Sequence, residues 1–104
     1  MKFTVAGDAG PFVDFECADT LASRWVCGEI LEGKTYPHLP FVDDVQIVFD
    51  AGATCGATSV YFARHYPGAA IHAFEPGLDP LAILSRNAEH YPTGPVHPLG
   101  RHSR

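Results

Sequence analysis

An α/β fold with parallel strands is predicted for this chain of 104 residues, and three observations predict it. Val45-Gln46-Ile47-Val48-Phe49 is a short apolar run that ends in Asp50 and enters a turn of small residues, Gly52 to Ala57. Ala70-Ile71-His72-Ala73-Phe74 is a second such run, ending in Glu75-Pro76. Helical sequence follows each run. Residues 45 to 99 therefore read β-α-β-α-β, and crossover connections of this kind make the strands parallel and right-handed.

The elements follow in order. Phe3 and Val5 alternate with polar neighbours, Gly7-Asp8-Ala9-Gly10-Pro11 breaks the chain, and Phe12, Val13, Phe15 and Cys17 supply a second strand, which together make a β-hairpin. Residues 19 to 31 read as a helix capped by Asp19 or Thr20 and stopped by Gly33. Its predicted core face is Leu21, Trp25 and Ile30, with Ala22 and Val26 beside them. Tyr36-Pro37-His38-Leu39-Pro40 is a rigid connector, and Asp43-Asp44 a solvated turn.

The run 45–49 reads as a strand buried on both faces. Thr58 to Tyr66 is helical, with Val60, Tyr61 and Ala63 as core candidates, and Pro67-Gly68 ends it. The third helix is predicted to take Asp79 as N-cap and Pro80 as its first residue. Leu81, Leu84, Ala88 and Tyr91 then share one face. Val96 to Leu99 is a third strand that Pro98 confines to an edge. The chain divides into a hairpin/helix extension, residues 1–42, and a parallel unit, residues 43–104.

Composition narrows the function classes. Hydrophobic residues make up 46% and charged residues 18%, which disfavours disorder. No apolar stretch is long enough to span a bilayer, and the N-terminus has no secretory h-region, so no membrane partner is expected. A net charge of −5 argues against a nucleic-acid binder, which needs a basic face. Cys17, Cys27 and Cys55 are odd in number and widely spaced, which fits reduced, buried thiols in a cytoplasmic protein. Cys55 reads as a small filler of the turn. The six histidines include no H-x-x-x-H pair, and no metal site is expected.

The candidate site is the turn between the first parallel strand and its helix. Glycines there let a ligand approach the backbone, and the helix start presents free N–H groups. Glu75 stands 23 residues beyond Gly52. An acid about 20 residues past the glycine turn is where nucleotide-binding βαβ units hold a ribose. The dinucleotide pattern G-x-G-x-x-G is not met, since Thr54 stands at its second glycine, and no lysine follows Gly56 as a P-loop requires. An adenosine ligand without phosphates, such as S-adenosylmethionine, fits better. The alternative readings are that Asp50 caps the turn and that Glu75 is a solvated strand end.

Residues 48–59, Val-Phe-Asp-Ala-Gly-Ala-Thr-Cys-Gly-Ala-Thr-Ser, resemble the first motif of class I S-adenosylmethionine-dependent methyltransferases. With His72-Ala73-Phe74-Glu75-Pro76 and Leu84-Ser85-Arg86-Asn87-Ala88, the sequence from about 43 to 99 is most similar to the FkbM family. The resemblance implies a Rossmann-like fold, methyl transfer to an oxygen of a small-molecule acceptor of sugar or polyketide type, and S-adenosylmethionine as cofactor. It places Asp50, Gly52, Ala53 and Gly56 along the methionine part of the cofactor and Glu75 on its ribose, with Thr54 also among the cofactor-binding residues; catalytic residues stay unassigned.

Thr54 departs from the family, which has asparagine there, and threonine tolerates a left-handed backbone poorly. The family's sheet runs 3-2-1-4-5-7-6, so its first strand is central; here that strand would lack one neighbour. Ile47 to Phe49 would then form an apolar edge open to self-association. The resemblance thus implies a truncated domain, a cofactor-binding portion that alone is not an active enzyme. Two other classes stay open: a nucleotide-binding oxidoreductase fragment, and a non-catalytic module that completes its sheet with another chain.

Overall fold

Alternation of apolar residues at the N-terminus builds the hairpin, in a computed structural model that describes residues 1–36 and 44–98. Strand β1, Lys2–Gly7, pairs antiparallel with β2, Gly10–Glu16, around a turn at Asp8 and Ala9. The register slips between Phe3 and Val5, and Asp14 on the opposing strand takes φ +55°, which marks a bulge. Helix α1, Leu21–Leu31, follows, with the Thr20 side chain accepting a hydrogen bond from Ser23 N–H at 3.0 Å. Gly33, at φ +86°, turns the chain out of the helix.

The second sheet has the order β3-β4-β5, with β3 Ile47–Ala51, β4 Ala70–Glu75 and β5 Val96–Pro98, all parallel. Helix α2, Ala57–His65, connects the first pair, and α3, Leu78–His90, the second. This is an α/β, Rossmann-like arrangement preceded by an antiparallel hairpin, as the sequence predicts. Among the described residues no helix is long and apolar enough to cross a membrane.

One apolar cluster ties the hairpin to the parallel unit. Phe3, Phe12, Phe15, Cys17, Cys27 and Leu31 pack with Ala57, Val60 and Tyr61. Arg64 of α2 lies 3.7 Å over the Phe12 ring and donates to the carbonyls of Gly10 and Pro11 at 2.8 and 2.9 Å. A second cluster, Ala53, Ala73 and Leu84, sits beneath the glycine turn.

Several expectations are corrected. Leu21 and Trp25 are 83% and 67% exposed, and Val26 is exposed too, so of the predicted face of α1 only Ile30 packs against the core. The buried residues of α1 are instead Cys27, Gly28 and Leu31. Strand β3 begins at Ile47, not Val45, and is not buried on both faces: Ile47 and Phe49 are 58% and 70% exposed, because both lie on the sheet face opposite the buried Ile71 and Ala73. Helix α3 starts two residues earlier than predicted, with Gly77 as N-cap; Asp79 lies in the first turn, where its charge favours the helix dipole. The connector at 37–40, Asp43, Leu99 and the terminal Arg101 to Arg104 lie outside the described residues.

Candidate functional site

The C-terminal ends of β3 and β4 lie side by side, which brings the glycine turn against Glu75. The Glu75 carboxylate is buried and held by two backbone donors: Thr54 N–H at 2.7 Å on Oε1, and Gly77 N–H at 2.8 Å on Oε2. It is not a solvated strand end. Each oxygen of a carboxylate offers two lone-pair sites, so acceptor capacity is left on both. The turn is fixed to β4 again by Ala53 N–H, which donates to the Phe74 carbonyl at 2.9 Å.

The turn departs from ordinary backbone at three alternate positions. Gly52, Thr54 and Gly56 have φ of +68°, +51° and +94°. A β-carbon at Gly52 would meet nothing within 4 Å, so the backbone there faces open space. One at Gly56 would stand 2.6 Å from the Leu84 Cδ1 of α3. Gly52 thus leaves room for a ligand, while Gly56 lets the turn pack on α3. Thr54 does take the left-handed conformation that suits asparagine better.

Asp50 sits at the end of β3 with its Oδ2 accepting from Ser59 Oγ at 2.6 Å, in the first turn of α2. The bond ties the end of β3 to the first turn of α2. Burial pushes its carboxyl above the ordinary aspartate range; hydrogen bonds from the side chain and backbone of Ser59 oppose the shift, and the Glu75 charge adds to it.

Asn87 is the residue that sequence reading missed as a linchpin. It is buried on α3; its Nδ2 donates to the carbonyls of Glu16 and Cys55 at 2.7 and 2.8 Å, and its Oδ1 accepts from Glu16 N–H at 3.0 Å. One side chain joins hairpin, helix and glycine turn. The signal was present, since Leu84-Ser85-Arg86-Asn87-Ala88 belongs to the motif that carries the resemblance. Beside it Arg86 donates to both Glu16 oxygens at 2.9 and 2.7 Å, and this guanidinium holds the Glu16 carboxyl below its ordinary range. His72 Nδ1 and His97 Nε2 also meet, at 3.1 Å, a contact with no signature in their spacing.

A cavity of about 410 Å³ opens between α1, the turn and the start of α3, lined by Val26, Cys27, Thr54, Cys55, Asp79 and Ile83 among others. It touches the candidate set only at Thr54. Asp50, Gly52, Ala53, Gly56 and Glu75 do not line it. The structure therefore gathers the six predicted residues around one turn but gives them different surroundings.

No family model matches the chain. It is 39% identical over 72 residues to Methyltransferase 1 of Beauveria bassiana (strain ARSEF 2860), a match that covers 69% of this chain and 28% of that protein. It is 43% identical over 42 residues to the 31-O-demethyl-FK506 methyltransferase FkbM of Streptomyces tacrolimicus, covering 40% of this chain and 16% of that protein. The chain thus spans less than a third of the length of either relative. Both relatives are methyltransferases and one is an FkbM, which upholds the resemblance carried by the motifs.

Proposed function

We propose that this methyltransferase relative binds S-adenosylmethionine at the β3–α2 turn and serves methyl transfer to an oxygen of a small-molecule acceptor, in the manner of FkbM. One observation carries the reading: Glu75, buried at the end of β4, is aimed at the turn by Thr54 and Gly77 N–H, with lone pairs to spare. A vicinal pair of ribose hydroxyls is the donor that such a carboxylate takes. Gly52, over open space, admits the amino-acid part, with Asp50, Ala53, Thr54 and Gly56 shaping the path.

When bound, the cofactor supplies an electrophilic methyl group on a sulfonium centre. The residues of this chain bind and orient it, and alignment of an acceptor behind the methyl carries much of such a reaction. The acceptor is proposed to be of sugar or polyketide type on the sequence resemblance, and the name of one relative, 31-O-demethyl-FK506 methyltransferase, supports an oxygen as the acceptor atom. Because the chain matches under a third of each relative, we place the acceptor-binding residues outside it and expect the chain alone to bind cofactor without turnover.

The test is a thermal melt with and without S-adenosylhomocysteine. A ligand bound only by the native state adds about 2.7 kcal/mol at a hundredfold excess over its dissociation constant. The midpoint should rise, and the rise should vanish in Glu75→Ala. A shift with NADH and none with S-adenosylhomocysteine would move the chain to the oxidoreductase class; methyl transfer by the chain alone would contradict the division of labour.

A second reading rests on the β3 edge, where Ile47 and Phe49 are exposed and, among the described residues, no strand pairs with the outer side. There the chain completes its sheet by pairing with a second copy or another chain. Sedimentation at rising concentration tests it: a strictly monomeric chain removes the self-association form.

A further inference from the structure

Three buried cysteines converge behind the glycine turn. Cys27 Sγ of α1 lies 3.0 Å from Cys55 Sγ of the turn, across 28 residues, and Cys17, at the end of the hairpin, is buried in the same apolar cluster. A disulfide needs sulfurs about 2.05 Å apart, so the pair has only about 1 Å left to close. Cys27 and Cys55 both line the 410 Å³ cavity between α1 and α3, whereas Cys17 does not.

We propose that Cys27 and Cys55 form a peroxide-reactive dithiol site, in which Cys55 is the attacking sulfur and Cys27 the resolving one. The cavity gives a small hydroperoxide a way in. Cys55 precedes the N-terminus of α2, and its thiol is drawn below the ordinary range by the Cys27 hydrogen bond first, then by the backbone N–H of Ala57 and the Thr54 side chain, against the opposing effect of burial. Cys27 is raised by the same hydrogen bond and by burial, which keeps the resolving thiol protonated until it is needed. Cys17 is raised by burial.

The chemistry balances in two steps. The Cys55 thiolate attacks one peroxide oxygen, the O–O bond breaks, and the alkoxide leaves to take up a proton as alcohol; Cys55 becomes a sulfenic acid. Cys27 sulfur then attacks Cys55 sulfur, the S–O bond breaks, and hydroxide leaves with the Cys27 proton as water. Two thiols and one hydroperoxide give one disulfide, one alcohol and one water. The link ties α1 to the turn that carries Thr54, and it forms whether or not that turn takes a cofactor.

The experiment treats the native chain with hydrogen peroxide and maps peptides without reduction. The expected product is an intrachain Cys27–Cys55 link with loss of two hydrogens, reversed by a thiol reductant. In urea, where the fold no longer selects the pair, links to Cys17 should join it. Cys27→Ser should leave a Cys55 sulfenic acid that dimedone traps, and Cys55→Ser should abolish that adduct. Native links formed chiefly through Cys17, links only between chains, irreversible oxidation of Cys55 in the parent, or three unreactive thiols would each overturn the proposal.

Discussion

The carboxylate of Glu75 accepts a hydrogen bond of 2.7 Å from the backbone N–H of Thr54, 21 residues earlier in the chain. That bond fixes the glycine turn to the end of β4 before any ligand arrives. Removing the carboxylate leaves the N–H groups of Thr54 and Gly77 without it. Glu75→Ala should therefore lower stability by about 1–3 kcal/mol, the cost of stranding donors in a sheltered site. Urea unfolding at unchanged slope measures it. Glu75→Gln keeps one acceptor oxygen but sets its NH₂ against the second N–H, and should fall between parent and Ala.

Thr54 carries backbone strain at φ +51°, where a β-branched residue is poorly placed. A non-glycine residue held there costs about 1–3 kcal/mol. Thr54→Asn should raise stability by about 1 kcal/mol at the low end of that range. Thr54→Gly should gain less, since glycine also frees the unfolded chain. Equilibrium denaturation of the three chains gives the order Asn, Gly, Thr; a parent more stable than both would show that the Thr54 side chain is needed where it lies.

The two flanking glycines should respond differently to a methyl group. Gly52→Ala meets only the left-handed penalty, about 1–2 kcal/mol, because nothing lies within 4 Å of the added carbon. Gly56→Ala adds a clash with Leu84 Cδ1 at 2.6 Å, and overpacking of that kind costs about 1–3 kcal/mol more. Gly52→Ala should nevertheless do the greater damage to S-adenosylhomocysteine binding relative to its stability loss, because its methyl occupies the open space. Melts with and without the ligand separate the two effects.

Asn87→Ala should be among the most damaging single changes on α3. It removes three hydrogen bonds and strands the carbonyls of Glu16 and Cys55 together with Glu16 N–H. At about 1 kcal/mol each, the loss is about 3 kcal/mol. The neighbouring Arg86→Ala, which breaks a solvent-exposed pair with Glu16, should cost under about 1 kcal/mol. A comparison of urea midpoints tests whether the buried amide, not the surface ion pair, holds the hairpin to the parallel unit.

Sequence reading succeeded where a local pattern dictates a local outcome. Alternation at Phe3 and Val5 gave the hairpin, and apolar runs ending in Asp50 and Glu75 gave the parallel strands. It failed where the answer depends on what an element packs against. Helix α1 carries two candidate stripes, and its period cannot say which one faces inward. Trp25 and Leu21 are exposed, but Cys27 and Leu31 are the ones that pack with α2 and the hairpin. The β3 run looked doubly buried for the same reason: apolarity of Ile47 and Phe49 shows that they suit cover, not that cover is supplied. Glu75 was legible because a distance along the chain encodes it; the Cys27–Cys55 contact was not, because it spans α1, a connector and β3.

Asp50 makes stability and binding pull apart with pH. Its folded carboxyl is raised above the ordinary value of about 3.9, with burial as the leading cause. The folded chain therefore binds more protons than the unfolded chain between that value and the raised one. Stability contributed through this group is lost as pH rises through the window and regained as it falls. Asp50→Asn removes the buried charge while its amide oxygen can still accept from Ser59 Oγ, so the variant should melt higher than the parent at pH 7, with the gap narrowing as pH approaches 4. If Asp50 lies along the cofactor's amino-acid part, the same variant should show a smaller shift with S-adenosylhomocysteine, a cost of the kind expected where a site keeps a destabilising charge for function. A variant that is less stable than the parent at pH 7 would make the Ser59 bond, not the buried charge, the dominant effect at this position.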